Sequence, residues 1–141
     1  YYSSETCGYV DGSSVTDGCT TDYDASDVKY AVDAWSTDKF NSNDLIEDSL
    51  GYKTRLLTYE DLTNNLGYVR EGGASYMNLN TENTPSWVYN ENYYYWTMSP
   101  YDDSASFVWY VGSRGDVGRS YVYYYGNYVV RPVITLLKSS I

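Results

Sequence analysis

Histidine is absent from this chain, cysteine, methionine and phenylalanine occur twice each, and proline three times. Without histidine, the commonest proton shuttle and a leading metal ligand are both missing. Two cysteines, with no third and no histidine, argue against a zinc site. No apolar run approaches the ~20 residues that a membrane-spanning helix needs, so the chain as given has no segment that inserts into a bilayer. No signal peptide is legible, and the opening at Tyr1 without Met reads as a processed or trimmed product. Positive charge is also scarce: nine bases stand against nineteen acids, for a formal net charge of -10. Residues 1–50 carry eleven of those acids and only Lys29 and Lys39, whereas the rest of the chain is nearly balanced. A field of that sign repels phosphate backbones and the few bases are scattered, which argues against nucleic acid as a partner.

What the chain has in excess is tyrosine. There are 20 among 141 residues, five of them in "SYVYYYGNYVV" (120–130). A phenol ring combines apolar area with a polar tip, so it suits a half-buried sheet face or a binding face on which few rotatable bonds make ordering cheap. The length, 43% hydrophobic residues and 20% charged residues fit one globular domain over 1–141 with a core of its own.

Residues 1–23 read as an acidic Gly/Ser/Thr/Asp loop. Cys7 and Cys19 have eleven residues between them. A bridge between them would close a short loop worth roughly 3 kcal/mol and would imply an extracellular compartment; two unrelated thiols are the alternative. Residues 24–69 read as the helical part. Val28, Ala31, Val32 and Trp35 fall on one helical face behind Ser26 as N-cap, and "NSNDLIEDSLGY" follows as a second turn or short helix. Lys53 to Leu57 is a short strand, and Thr58 with Asp61 forms a capping box that starts a helix with Leu62 and Leu66 inward and Gly67 at its end. Residues 86–141 show no helical period and break into aromatic and β-branched runs, an antiparallel sheet. The expected fold class is α+β: two N-terminal helices followed by a twisted antiparallel β-meander. One face of that sheet would be an aromatic core and the other a ring-covered outer surface.

"YWTMSP" (95–100), "VWYVGSRGDV" (108–117) and "VVRPVITLLKSS" (129–140) resemble the closing strands of a module common in surface and secreted proteins of Gram-positive bacteria, similar to the sulfatase-modifying-factor version of the C-type-lectin-like fold. "SDVKYAVDAW" and "YKTRLLTYEDLTNNLGY" resemble segments that precede this ending in pilin-like proteins of Firmicutes. The resemblance covers most of residues 22–141 and implies a C-type-lectin-like fold at the cell surface. It does not bring the oxidase chemistry of that fold, because the C-terminal cysteine pair is missing, nor the hydrophobic helix a pilin needs for assembly.

Catalytic machinery is thin. Asp102 and Asp103 are adjacent and point to opposite sides of an extended chain. Asp22, Asp24, Ser26 and Asp33 take calcium-loop spacing, but Asp27 occupies the glycine position and Asp33 replaces the bidentate Glu. Helix capping is therefore the better reading, with an irregular calcium site at Asp22 and Asp24 as the residual one, and no cofactor is expected. Arg114-Gly115-Asp116 spells an integrin tripeptide at a hairpin tip, where turn chemistry explains it. Arg131, before Pro132, is read as structural, paired with a carboxylate or stacked on a ring. The expectation is a non-enzymatic extracellular module that binds a glycan or protein ligand through Tyr94, Tyr101, Tyr110, Tyr121, Tyr123, Tyr125 and Tyr128. The alternatives are a filament subunit whose aromatic face contacts neighbouring subunits and, more weakly, a carbohydrate-active enzyme.

Overall fold

The computed structural model describes residues 2–3, 8–10, 13–15, 19–124, 128–137 and 139. Helix α1 (Asp27–Lys39) begins where the sequence places it. The Ser26 hydroxyl accepts the Lys29 N–H at 3.1 Å, which satisfies one of the amides that the first turn leaves unbonded. Val28 and Val32 are its buried residues, while Trp35 is 37% exposed and meets Phe40 edge-on at 5.4 Å.

The expected second N-terminal helix does not form, and this overturns the two-helix α+β class. Between residues 41 and 52 the side chains of Asn41 and Asp48 accept hydrogen bonds from the N–H groups of Asn43, Leu50 and Tyr52. These local bonds offer the backbone an alternative to helix, and only a 3-10 turn, Ser42–Asp44, results. The capping box is present in both directions, Thr58 N–H to Asp61 and Asp61 N–H to the Thr58 hydroxyl, each at 2.9 Å. What it starts is a short turn continuing as a π-helical segment, Asp61–Asn65. Leu62 and Leu66 point inward, and Gly67 ends it at φ +82°, where a Cβ would lie 2.6 Å from the Cβ of Asn83.

The rest is mostly β, curled like half a barrel. The hairpin β1 (Gly8–Val10) and β2 (Ser13–Val15) lies within the stretch read as a loop. Strand β3 (Thr54–Arg55) pairs antiparallel with β8 (Val133–Ile134). Strands β4 (Tyr94–Pro100), β5 (Phe107–Val111), β6 (Val117–Tyr121) and β7 (Tyr128–Val129) form a sheet of order β6-β5-β4-β7. Its β4–β7 pairing is parallel, so the sheet is not a meander. The chain leaves β7, passes Arg131-Pro132, and joins β3 as β8; Met98 N–H to the Leu57 carbonyl at 2.9 Å stitches the two sheets together.

The four-stranded sheet is buried on both faces. Register places Trp96, Val108, Tyr110 and Val122 on one side, against Val28, Val32, Leu56, Tyr2 and Tyr23. Tyr95, Trp109, Val111 and Val117 face the other way, against Leu57, Leu62, Leu66, Tyr68, Met77 and Val88. That answers most of the tyrosine question, because two covered faces need two sets of rings. Tyr2 is fully buried, and its N–H donates to the Val122 carbonyl at 3.0 Å, so the N-terminal segment is part of the first core.

Candidate functional site

The cations of this acidic chain are mostly committed. Arg55 bonds Asp48 at 2.5 Å and Asp61 at 2.6 Å. Burial alone would raise both carboxyls, but the Arg55 guanidinium and nearby backbone N–H groups hold them below the usual carboxylate range. Arg70 grips Asp102 with two bonds of 2.6 Å, and the Arg70 guanidinium lowers the Asp102 carboxyl. Arg131 donates to the carbonyls of Val88 and Trp87 and lies 4.9 Å from the Tyr95 ring centre, a structural role with a ring beneath it. Lys29 pairs with Asp33 one helical turn on.

Arg119 differs. Its guanidinium lies over the rings of Phe107 at 4.5 Å and Tyr101 at 4.8 Å, yet it has no hydrogen-bond acceptor or ion pair among the described residues. It opens onto a groove of about 380 Å³. Phe107 and Tyr121 form the groove wall beside Arg119; Tyr94, Tyr124, Tyr128 and Ser120 complete it. Tyr94, Tyr121 and Tyr124 are 38%, 41% and 51% exposed. The Tyr128 ring stacks on Trp96 at 4.3 Å, which ties the groove floor to the first core. Burial, with the neighbouring phenols of Tyr110, Tyr124 and Tyr94, pushes Tyr128 up to about 12, so its hydroxyl stays neutral at physiological pH. No carboxylate among the described residues lines this groove.

Of the seven tyrosines predicted as contacts, Tyr94, Tyr121 and Tyr128 come together here. Tyr110 lies half-buried over Gly118, where a Cβ would meet its ring at 3.0–3.1 Å, and it belongs to the first core. Tyr123 is 5% exposed and stacks on Tyr121 at 4.9 Å, because β6 ends at Tyr121 and a turn follows; the two do not alternate along one strand as the sequence suggested. Tyr101 packs between Arg70 and Arg119 against Trp109. Tyr125 lies outside the described residues, as does Cys7, one end of the expected bridge. Phe107, Arg119, Ser120 and Tyr124 were not foreseen.

Three other features sort out quickly. Asp102 is held by Arg70, and with Asp103 it occupies a turn at φ 43° and 58°, so the pair is built as a β4–β5 corner. The Asp24 carboxylate accepts the Tyr52 hydroxyl at 2.7 Å and Asp22 caps the turn before Ser26; no group of three acid, histidine or cysteine side chains among the described residues is placed to hold a metal. In the integrin-like tripeptide Gly115 is buried at φ +84° and its carbonyl accepts the Tyr68 hydroxyl, a structural turn.

A family model, described as a domain of unknown function (DUF6273), matches residues 26–138. The chain belongs to the DUF6273 family. The match spans α1, every strand from β3 to β8 and the groove, and leaves the β1–β2 hairpin outside. It carries no link to the lectin-like or sulfatase-modifying modules that the closing motifs resemble. No curated protein and no solved structure matches the chain significantly. No helix among the described residues is long and apolar enough to cross a membrane.

Proposed function

We propose that this DUF6273 domain is a non-enzymatic, extracellular binding module of a bacterial surface protein, with its ligand held in the groove of Tyr94, Phe107, Arg119, Tyr121, Tyr124 and Tyr128. One observation carries the reading. These rings stand partly exposed around an open concavity beside a cation that has no hydrogen-bond acceptor or ion pair among the described residues, although both sheet faces already have closed cores. Exposed aromatic area that folding does not use marks an interaction site. Tyrosines with a serine and an arginine make the rigid, amphipathic mixture typical of recognition surfaces. The engagement of Asp102 by Arg70 and the absence of histidine weigh against acid-base catalysis.

The test is a glycan and extracellular-protein array probed with the chain and with a Tyr121→Ser/Tyr124→Ser double variant, both checked by near-UV circular dichroism. The reading expects a specific hit that the folded variant loses. Hits retained by the variant, or none at all, would remove the groove from consideration.

A further inference from the structure

The groove follows the open edge of a sheet. In an antiparallel pair, residues alternate between turning both backbone polar groups toward the partner strand and turning both away. Met77 sets the phase on β6: its N–H and carbonyl exchange two 2.8 Å bonds with Val117, so Val117 turns outward. Gly118 and Ser120 then turn toward β5, and Arg119 and Tyr121 turn outward. The Val122 N–H bond to the Ser106 carbonyl at 2.9 Å agrees with that alternation. The Tyr121 carbonyl is taken by the Tyr124 N–H. The N–H and carbonyl of Arg119 and the N–H of Tyr121 have no partner among the described residues. Beyond Met77, then, the edge offers two donors and an acceptor at strand spacing. The groove lining includes the consecutive residues Arg119, Ser120 and Tyr121, with Phe107 and Tyr121 on one sheet face and Tyr94 and Tyr128 on the other. It straddles this edge.

We propose that the outer edge of β6 accepts an extended peptide as an added strand, with an acidic side chain opposite Arg119 and an apolar or aromatic one two residues away against Tyr121 and Phe107. This rests on the groove being the binding site and names its ligand class. Main-chain pairing supplies affinity in strand addition, and pockets for alternate side chains supply specificity. Residues directly opposite across a pair share a face, so the ligand residue facing Arg119 stands beside its guanidinium, in a groove that no carboxylate among the described residues lines. A second copy of this chain fits less well, because a net charge of -10 opposes self-association.

A phage-displayed heptapeptide library panned on the whole chain lets the edge select its own ligand, and the enriched peptides are then synthesised. The expected peptides share an acid two residues from an apolar or aromatic side chain. They slow amide exchange at Arg119 and Tyr121 by at least ~tenfold. Arg119→Gln, and N-methylation of the peptide amides that pair with the edge, each weaken binding by at least ~tenfold. Library failure, or peptides that leave those two amides exchanging freely, overturns strand addition. If a glycan from the array then still depends on Tyr121 and Tyr124, the binding-module reading stands without it; if nothing depends on them, both fall. Concentration-dependent protection of the same amides without peptide, accompanied by dimer in sedimentation, would replace the peptide with a second copy.

Discussion

The two faces of the four-stranded sheet bury similar rings but treat their polar tips differently. Away from α1, the Tyr68 hydroxyl donates to the Gly115 carbonyl, the Tyr95 hydroxyl to the Val88 carbonyl, and the Thr97 hydroxyl to the Trp109 carbonyl at 2.8 Å. On the α1 side, the buried hydroxyls of Tyr2 and Tyr23 have no hydrogen-bond partner among the described residues. Burial pushes all four phenols up, so none ionises near neutral pH. On one face tyrosine acts as a tether to loop backbone; on the other its ring area alone contributes. Of the groove rings, Tyr128 packs on the first core, whereas Tyr94, Tyr121 and Tyr124 keep 38%, 41% and 51% of their surface exposed, and the proposed recognition surface is built on that exposed area.

Truncating the two central tryptophans tests whether both faces are core. Trp96 is 2% exposed on the α1 side and Trp109 1% on the other. Trp96→Ala and Trp109→Ala should each cost about 3–5 kcal/mol in urea unfolding. A Trp109→Ala cost under about 1 kcal/mol would mean that the far face is solvated after all.

The tether difference is a smaller effect. Tyr68→Phe strands the buried Gly115 carbonyl and should cost about 1–3 kcal/mol. Tyr95→Phe should cost less, since the Val88 carbonyl keeps a 3.1 Å bond from Arg131. Tyr2→Phe and Tyr23→Phe should be neutral or slightly stabilising, because each removes a buried polar group that has no hydrogen-bond partner among the described residues. Equal costs at Tyr68 and Tyr2 would erase the distinction between the faces.

The Arg55 network gives a pH signature on the β3 side. Asp48 and Asp61 have lowered pKa values when folded, so their contribution is complete above the unfolded carboxylate range and is lost as pH falls through the folded values. The urea midpoint should drop between pH 6 and pH 3, and Arg55→Gln should reduce that drop. An unchanged acid dependence in Arg55→Gln would assign it to other carboxylates.

Local chemistry was what the sequence made legible. Ser26 capping α1, the Thr58–Asp61 reciprocal bonds, and the inward Leu62 and Leu66 all depend on neighbours within four residues, and each is present. Asn41 and Asp48 carried the signal against a second helix, because short polar side chains that bond nearby backbone N–H groups favour turns. The burial of Tyr2, the parallel β7 and the step from β7 to β8 depend on partners tens of residues away, which no local period records. The groove was half-visible for the same reason. Tyrosine density pointed to Tyr94, Tyr121 and Tyr128, but only the early end of β6 at Tyr121 buries Tyr123 and leaves Tyr124 exposed. Arg119 was one scattered base among seven until the engagement of Arg55, Arg70 and Arg131 and its own place over the Phe107 and Tyr101 rings at the groove set it apart.

The most direct test of the account is the equilibrium unfolding of Tyr121→Ser/Tyr124→Ser beside the parent chain. If the groove rings are surplus to both cores, the double variant should stay within about 1 kcal/mol of the parent with an unchanged slope in urea. A loss of several kcal/mol would make those rings part of the packing and contradict the recognition surface built on them.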